Sequence, residues 1–212
     1  GSGKSVALNT LLYGAIKLYT PNQLKLFLVD PKEVELADFE GAEHLGGEIG
    51  STPSEAIDLL ESAVEEMHFR YKMFREQKKT VGKVAKDIRE YNLRADENLP
   101  RWLLVLDEYA DLVSDKEDKH TIEQLIQRLC QKARAAGIHV ILATQKPLVN
   151  ILSSAIKANL PAILALKVKN STDSKVLMDE PGAEALAGKG DALFKDGAGR
   201  VARLQCAAMD SD

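Results

Sequence analysis

Cysteine is scarce in this 212-residue chain, which carries only Cys130 and Cys206. Neither belongs to a CxxC or Cys/His spacing, so a disulfide scaffold and a zinc ribbon both lack their residues. Free thiols set in apolar patterns are expected instead, in a reducing compartment. Aromatic residues are also few, at 5%, with one tryptophan. No apolar run approaches the roughly 20 residues that a membrane span requires. Without a signal-peptide pattern in its first residues, the chain is expected in the cytoplasm without direct membrane contact. Excess positive charge is missing too: the formal net charge is −4. A globally basic nucleic-acid binder is thereby excluded, but a basic channel inside an acidic outer surface is not.

The residues present describe a soluble α/β protein. Hydrophobic residues make up 45% and charged residues 28%, an ordinary globular balance with length for one sizeable core. Short apolar runs at Leu24–Val29, Trp102–Leu106 and Ile138–Ala143 read as buried strands; each ends abruptly in polar residues. Helical spacing runs through Val6–Tyr19, then from Thr52-Pro53-Ser54-Glu55 to Phe74, and again from Ile122 to Ala133 before Gly137. Arg75–Arg94 shows little periodicity, so the second helix is expected to dissolve there. Later strand candidates are 162–168, 191–194 and 200–206. Alternating strands and helices predict a mainly parallel central sheet with helices on both faces, in a single domain over 1–212.

Two short motifs carry chemistry. Gly1-Ser2-Gly3-Lys4-Ser5 has the form of the second half of a phosphate-binding loop. Its feeding strand and first glycine are expected upstream of Gly1. Backbone N–H groups at a helix start can surround phosphate oxygens. Lys4 would reach the β- and γ-phosphates, and the Ser5 hydroxyl would ligate Mg²⁺. Alone, GSGKS also fits a Gly-Ser tag joined to an unrelated helix. The second motif is Leu103–Leu106 leading into Asp107-Glu108, where Asp107 would hold Mg²⁺ and Glu108 would activate the attacking water. Alone, it also fits a strand ending in solvated acids. Thr144-Gln145 closes the third strand, at the carboxyl end where open α/β sheets gather ligands.

Longer blocks are more specific. GSGKSVALN (1–9), VDPKEVELADFEG (29–41), MHFRYKMF (67–74), LLVLDEYADL (103–112), QKARAAGIHVILATQKP (131–147), IKANLPA (156–162) and PGAEALAGKGDALF (181–194) stand in order along the chain. In them the chain resembles the motor domain of the FtsK/SpoIIIE family of DNA translocases, within the FtsK–HerA group. The resemblance implies a RecA-like P-loop NTPase fold and a hexameric homo-oligomeric ring around double-stranded DNA, with ATP and Mg²⁺ as cofactors. It also leaves room for a longer parent anchored at the inner membrane. Carried over, Gly1, Ser2, Gly3, Lys4 and Ser5 bind the nucleotide, Ser5 and Asp107 hold the metal, and Glu108 and Gln145 act in catalysis. Asp30 and Lys32 fall on the DPK block and are expected to be structural or inter-subunit. Family members carry arginine where this chain has Lys146, Ile163 and Lys175, so a trans-acting arginine finger is sought elsewhere, with Arg134 before Arg128. An FtsK-like ATPase serving DNA restriction, defence or conjugative transfer is the alternative setting.

Charge is uneven along the chain. Between His68 and Arg94 nine lysines and arginines face only Glu76, Asp87 and Glu90. Lys78, Lys79 and Lys83 are the expected DNA-phosphate contacts in this stretch, and Asn170–Lys175 is a second region that could approach the channel. A solvated helix face would carry the same charge.

Overall fold

A computed structural model describes residues 2–209. The chain gathers into two compact units, Leu18–Leu142 and Gly1–Lys17 with Ala143–Asp212.

The Leu18–Leu142 unit is built on three parallel strands in the order β1 (Leu24–Val29), β2 (Arg101–Leu106), β3 (Ile138–Leu142). The register pairs Val29 with Leu106 and Leu106 with Leu142. All three strands are the apolar runs of the sequence, to within a residue. Leu26, Leu28, Leu104, Val105 and Leu106 are buried, as parallel strands joined by helical crossovers demand.

Two long helices complete this unit. α2 (Pro53–Val81) starts with a capping box, in which the Thr52 hydroxyl accepts from Glu55 N while the Glu55 carboxylate accepts from Thr52 N. The helix runs past Phe74, where it was expected to dissolve, and ends at Gly82 in the left-handed conformation. Its last turns are rich in Arg, Glu, Gln and Lys, which favour helix without marking an apolar face. Phe74 still has something to bury against: it packs with Ala85 and Ile88, the latter opening the short helix α3 (Ile88–Asn92). The helix following β2, α4 (Tyr109–Leu112), is a single turn.

α5 (Lys116–Ala136) packs on α2. Arg70 of α2 is fully buried at this junction, donating from Nε to Glu66 and from Nη1 to Ala136 O. Its guanidinium also lies 5.3 Å from the centre of the Trp102 ring, a cation–π placement. The basic stretch thus spends one of its nine charges on packing. α5 ends at Gly137 (φ 78°), where an added Cβ would stand 2.6 Å from Ile88 Cδ1. Gly137→Ala combines left-handed strain with displacement of a buried isoleucine. It is expected to destabilise the protein by about 2 kcal/mol, read as a lower midpoint in denaturant with an unchanged m-value.

The other unit opens with α1 (Lys4–Leu18) and continues after β3 with α6 (Ser154–Asn159), β4 (Ile163–Leu166), α7 (Ser171–Met178), β5 (Asp191–Lys195) and β6 (Val201–Gln205). These three strands form an antiparallel sheet in the order β4-β5-β6. The β5–β6 connection is a tight turn in which the Asp196 carboxylate accepts from Ala198 N and Arg200 N. Such a hairpin can join only antiparallel neighbours. Ala165, Met178, Ala183 and Leu186 form the small core of this sheet. Cys130 and Cys206, one in each unit, are half-buried free thiols, and burial pushes the Cys130 thiol up to about 11.

Candidate functional site

Asp107 and Glu108 follow the last residue of β2, the central strand, and both are buried. Asp107 N donates to Val29 O at 2.9 Å, so the chain is still tied to β1 as it leaves the sheet. Glu108 then adopts φ 41°, ψ 55°, left-handed for a residue with a side chain. Such a conformation costs on the order of 1–3 kcal/mol and persists where the surroundings impose it. It turns the chain directly into α4, with Asp111 N donating to Glu108 O.

The DPK block explains part of that imposition. Asp30, 1% exposed, stands after the last residue of β1 and folds the following loop around its own carboxylate. Oδ1 accepts from Lys32 N, and Oδ2 from Val34 N and Leu36 N, each at 3.0 Å. The loop so wound directs the half-exposed Lys32 ammonium to Glu108 Oε2 at 3.2 Å. Desolvation pulls the Lys32 pKa down, but the Glu108 hydrogen bond and the charges of Glu108, Asp111 and Asp107 outweigh it, and the pKa is raised. The same contact ties the DPK loop to the end of the central strand. Sequence reasoning singled out both residues and missed the link between them, because they stand 76 positions apart.

The phosphate-loop residues belong to the other unit. Gly1 lies outside the described residues. Ser2 O accepts from Gly190 N at 3.1 Å, and Gly3 has φ 97°. A Cβ on Gly3 would stand 2.7 Å from Gly190 N, so only glycine fits. Gly3 O accepts from Ala7 N at 2.9 Å, and Lys4 is the first residue of α1, with Ser5 next. The brace on this loop is the turn Gly188-Lys189-Gly190, three successive residues at positive φ. Its signal in the sequence was the GKG within PGAEALAGKGDALF. Gln145 lies exposed beyond β3, where the Thr144 hydroxyl accepts from Lys146 N. A helix start with a glycine-only approach suits phosphate, and a buried carboxylate at a strand end suits Mg²⁺, so the donor sets present fit both groups.

The remaining candidates are spread out. Lys78 and Lys79 occupy the last turn of α2 and Lys83 follows its cap, all exposed. Arg128 contacts His68 Nε2 from α5. Arg134 lies near the C-terminal end of α5, beside Arg101 and His139. Arg101 opens β2 and His139 is the second residue of β3, at the end of the sheet away from Asp107.

The FtsK/SpoIIIE family model matches residues 1–149. The chain belongs to the FtsK/SpoIIIE family. The DNA translocase FtsK of Lactococcus lactis subsp. cremoris (strain MG1363) is 41% identical over 219 residues, covering all of this chain and 28% of the relative. That of Streptococcus pneumoniae (strain ATCC BAA-255 / R6) is 43% identical over 202 residues, covering 92% of the chain and 26% of the relative. This FtsK/SpoIIIE chain therefore spans little more than a quarter of these relatives. Among solved structures, the pCW3 conjugation coupling protein TcpA, in a monomer form with ATPγS, matches 99% of the chain and 58% of its own length with TM-score 0.83 and 30% identity. EssC (ATPases 2 and 3) from Geobacillus thermodenitrificans matches with TM-score 0.81 at 23% identity. The fold is that of the α/β P-loop ATPases. Among the described residues no helix is long and apolar enough to cross a membrane.

Proposed function

We propose that this chain is the motor of an ATP-hydrolysing double-stranded DNA translocase, working as one subunit of a homo-oligomeric, hexameric ring. The observation that carries the reading is Glu108, buried at the end of the central strand in a strained conformation and paired with Lys32 of the DPK loop. Family membership and relatives described as DNA translocases support it.

In this mechanism the backbone of Gly1, Ser2 and Gly3 and the Lys4 ammonium hold the phosphates of ATP. Ser5 and Asp107 are the residues that would hold Mg²⁺, which when bound neutralises charge on the β- and γ-phosphoryl oxygens. Glu108 accepts a proton from the attacking water, with Lys32 fixing the carboxylate's direction. Gln145 senses the γ-phosphate. Arg134 is assigned as the finger, with Arg128 second. It stands at the opposite end of its own sheet from Glu108, so it would act on the nucleotide of a neighbouring copy. Lys78, Lys79 and Lys83 contact DNA phosphates through charge rather than sequence.

The experiment is ATP turnover by the protein with and without duplex DNA. At low salt, duplex is expected to stimulate turnover several-fold, with the effect fading as salt rises. Absence of both stimulation and binding at low salt would overturn the translocase reading. The likeness to a conjugation coupling protein at 30% identity favours one second setting, the same ATPase in a conjugative DNA-transfer complex.

A further inference from the structure

The Leu18–Leu142 unit contains a cleft of about 580 Å³ at the end of the sheet where β2 and β3 begin. Six groups that carry or can take positive charge line it: Lys86 and Arg89 from α3 and the loop before it, Arg101 from the first position of β2, Lys132 and Arg134 from the last turns of α5, and His139 from β3. The only acid lining it is Asp87, whose carboxylate is engaged as the cap of α3, accepting from Glu90 N at 2.9 Å. Glu90 nearby accepts from the Lys86 backbone N–H. Among the described residues none of the five lysines and arginines in the cleft forms an ion pair.

This is a cost without an evident structural return. Like charges sharing one concavity repel, and folding gains nothing from holding them together. The helix dipole of α5 accounts for Lys132 and Arg134 at its C-terminus, but not for Arg101 at a strand start or for Lys86 and Arg89. The crowding is visible at His139, whose pKa is lowered by burial and by the charges of Arg101 and Arg134. The cleft is also separate from Asp107 and Glu108. Six strand residues at ~3.3 Å each put Arg101 roughly 20 Å from Asp107.

We infer that this cleft is a second phosphate-binding site, and that its ligand is the backbone of the DNA on which the motor acts. With Arg134 kept for the neighbour's nucleotide, Lys86, Arg89, Arg101 and Lys132 remain; one phosphate is satisfied by two or three donors, whereas four suit a run of phosphates. The charge also extends beyond the cleft in sequence, since Lys83 precedes Lys86 by three residues and Lys78 and Lys79 close α2. The inference rests on the DNA-motor reading and adds to it a second contact surface beyond the three lysines at the end of α2.

The test is fluorescence anisotropy of a short labelled duplex over a salt series. The probe variant is Lys86→Ala, Arg89→Ala and Arg101→Ala together, all three exposed, which leaves the proposed finger Arg134 in place. The control removes three charges elsewhere, through Lys17→Gln, Lys25→Gln and Lys116→Gln. The cleft variant is expected to bind at least ~10-fold more weakly at low salt, with the slope of log K against log salt reduced by about 3. The control is expected to keep the slope. If wild type binds duplex and the cleft variant matches it in affinity and slope, the cleft assignment falls while the DNA reading stands. If wild type binds no duplex, both fall together. Saturable binding of inorganic phosphate followed by ³¹P NMR, lost in the cleft variant while duplex affinity is unchanged, would assign the cleft to a small phosphate ligand and overturn the DNA assignment.

Discussion

Glu108→Gln is expected to lower ATP turnover by about 10²- to 10⁴-fold, the range in which a positioned general base acts, while leaving ATP bound. The amide has the volume and shape of the carboxylate but cannot take the proton of the attacking water. Its oxygen can still accept from the Lys32 ammonium, now 3.2 Å from Glu108 Oε2, so the local arrangement should survive. Stability should not suffer either. A carboxylate 1% exposed is costly to bury, and replacing it with a neutral isostere removes that cost along with one half-exposed ion pair. The discriminating pair of measurements is steady-state phosphate release, which should collapse, and equilibrium binding of a fluorescent ATP analogue, which should persist. Lys4→Ala should show the reverse order, losing affinity first. If Glu108→Gln turned over ATP at the wild-type rate, the carboxylate would have no place in the chemistry and its strained conformation would need another explanation.

How far the sequence could be read depended on the range of the interaction. β1, β2, β3, α1 and α5 announce themselves through residues a few positions apart: buried parallel strands are continuous apolar runs, and a helix facing a core repeats every three or four residues. α2 was truncated in the reading because the residues after Phe74 favour helix without marking a face. Arg70 was counted as surface charge, and only the fold shows it closing the junction of two helices beneath Trp102. The antiparallel pairing of β4, β5 and β6 is invisible to periodicity, since direction is set by which strand ends meet. The candidate site divides in the same way. Asp107-Glu108 and Lys4-Ser5 could be named because strand-end and helix-start chemistry is local. The Lys32–Glu108 pair and the pressing of Gly190 on Gly3 could not, since each joins residues far apart in the chain.

Asp30→Ala is expected to be the most damaging single change to the fold near this site, at about 3–4 kcal/mol. Three backbone N–H groups converge on the Asp30 carboxylate at 3.0 Å each, and hydrogen bonds to a charged group contribute roughly 1.5–3 kcal/mol apiece before any relaxation. Water can reach the outer part of the loop and recover some of that, but not at Leu36, which is fully buried along with its neighbour Phe39. Losing the carboxylate therefore removes both the turn and the anchor that seats this loop on the sheet. In a protein of this size the change corresponds to a fall in melting temperature of about 10 °C. Asp30→Asn provides the sharper comparison, because its amide keeps one acceptor oxygen and turns a donor toward donors. The loss should then be intermediate if hydrogen bonding dominates, and as large as for alanine if charge does. Either result supports the carboxylate as the organiser of the DPK loop. A melting temperature within 2 °C of wild type for Asp30→Ala would show that the loop holds Lys32 against Glu108 by other means. In the expected case the same variant also frees Lys32 from Glu108, so ATP turnover should fall further than the loss of folded protein explains. Measuring the rate per folded molecule, well below the melting transition, separates the two effects.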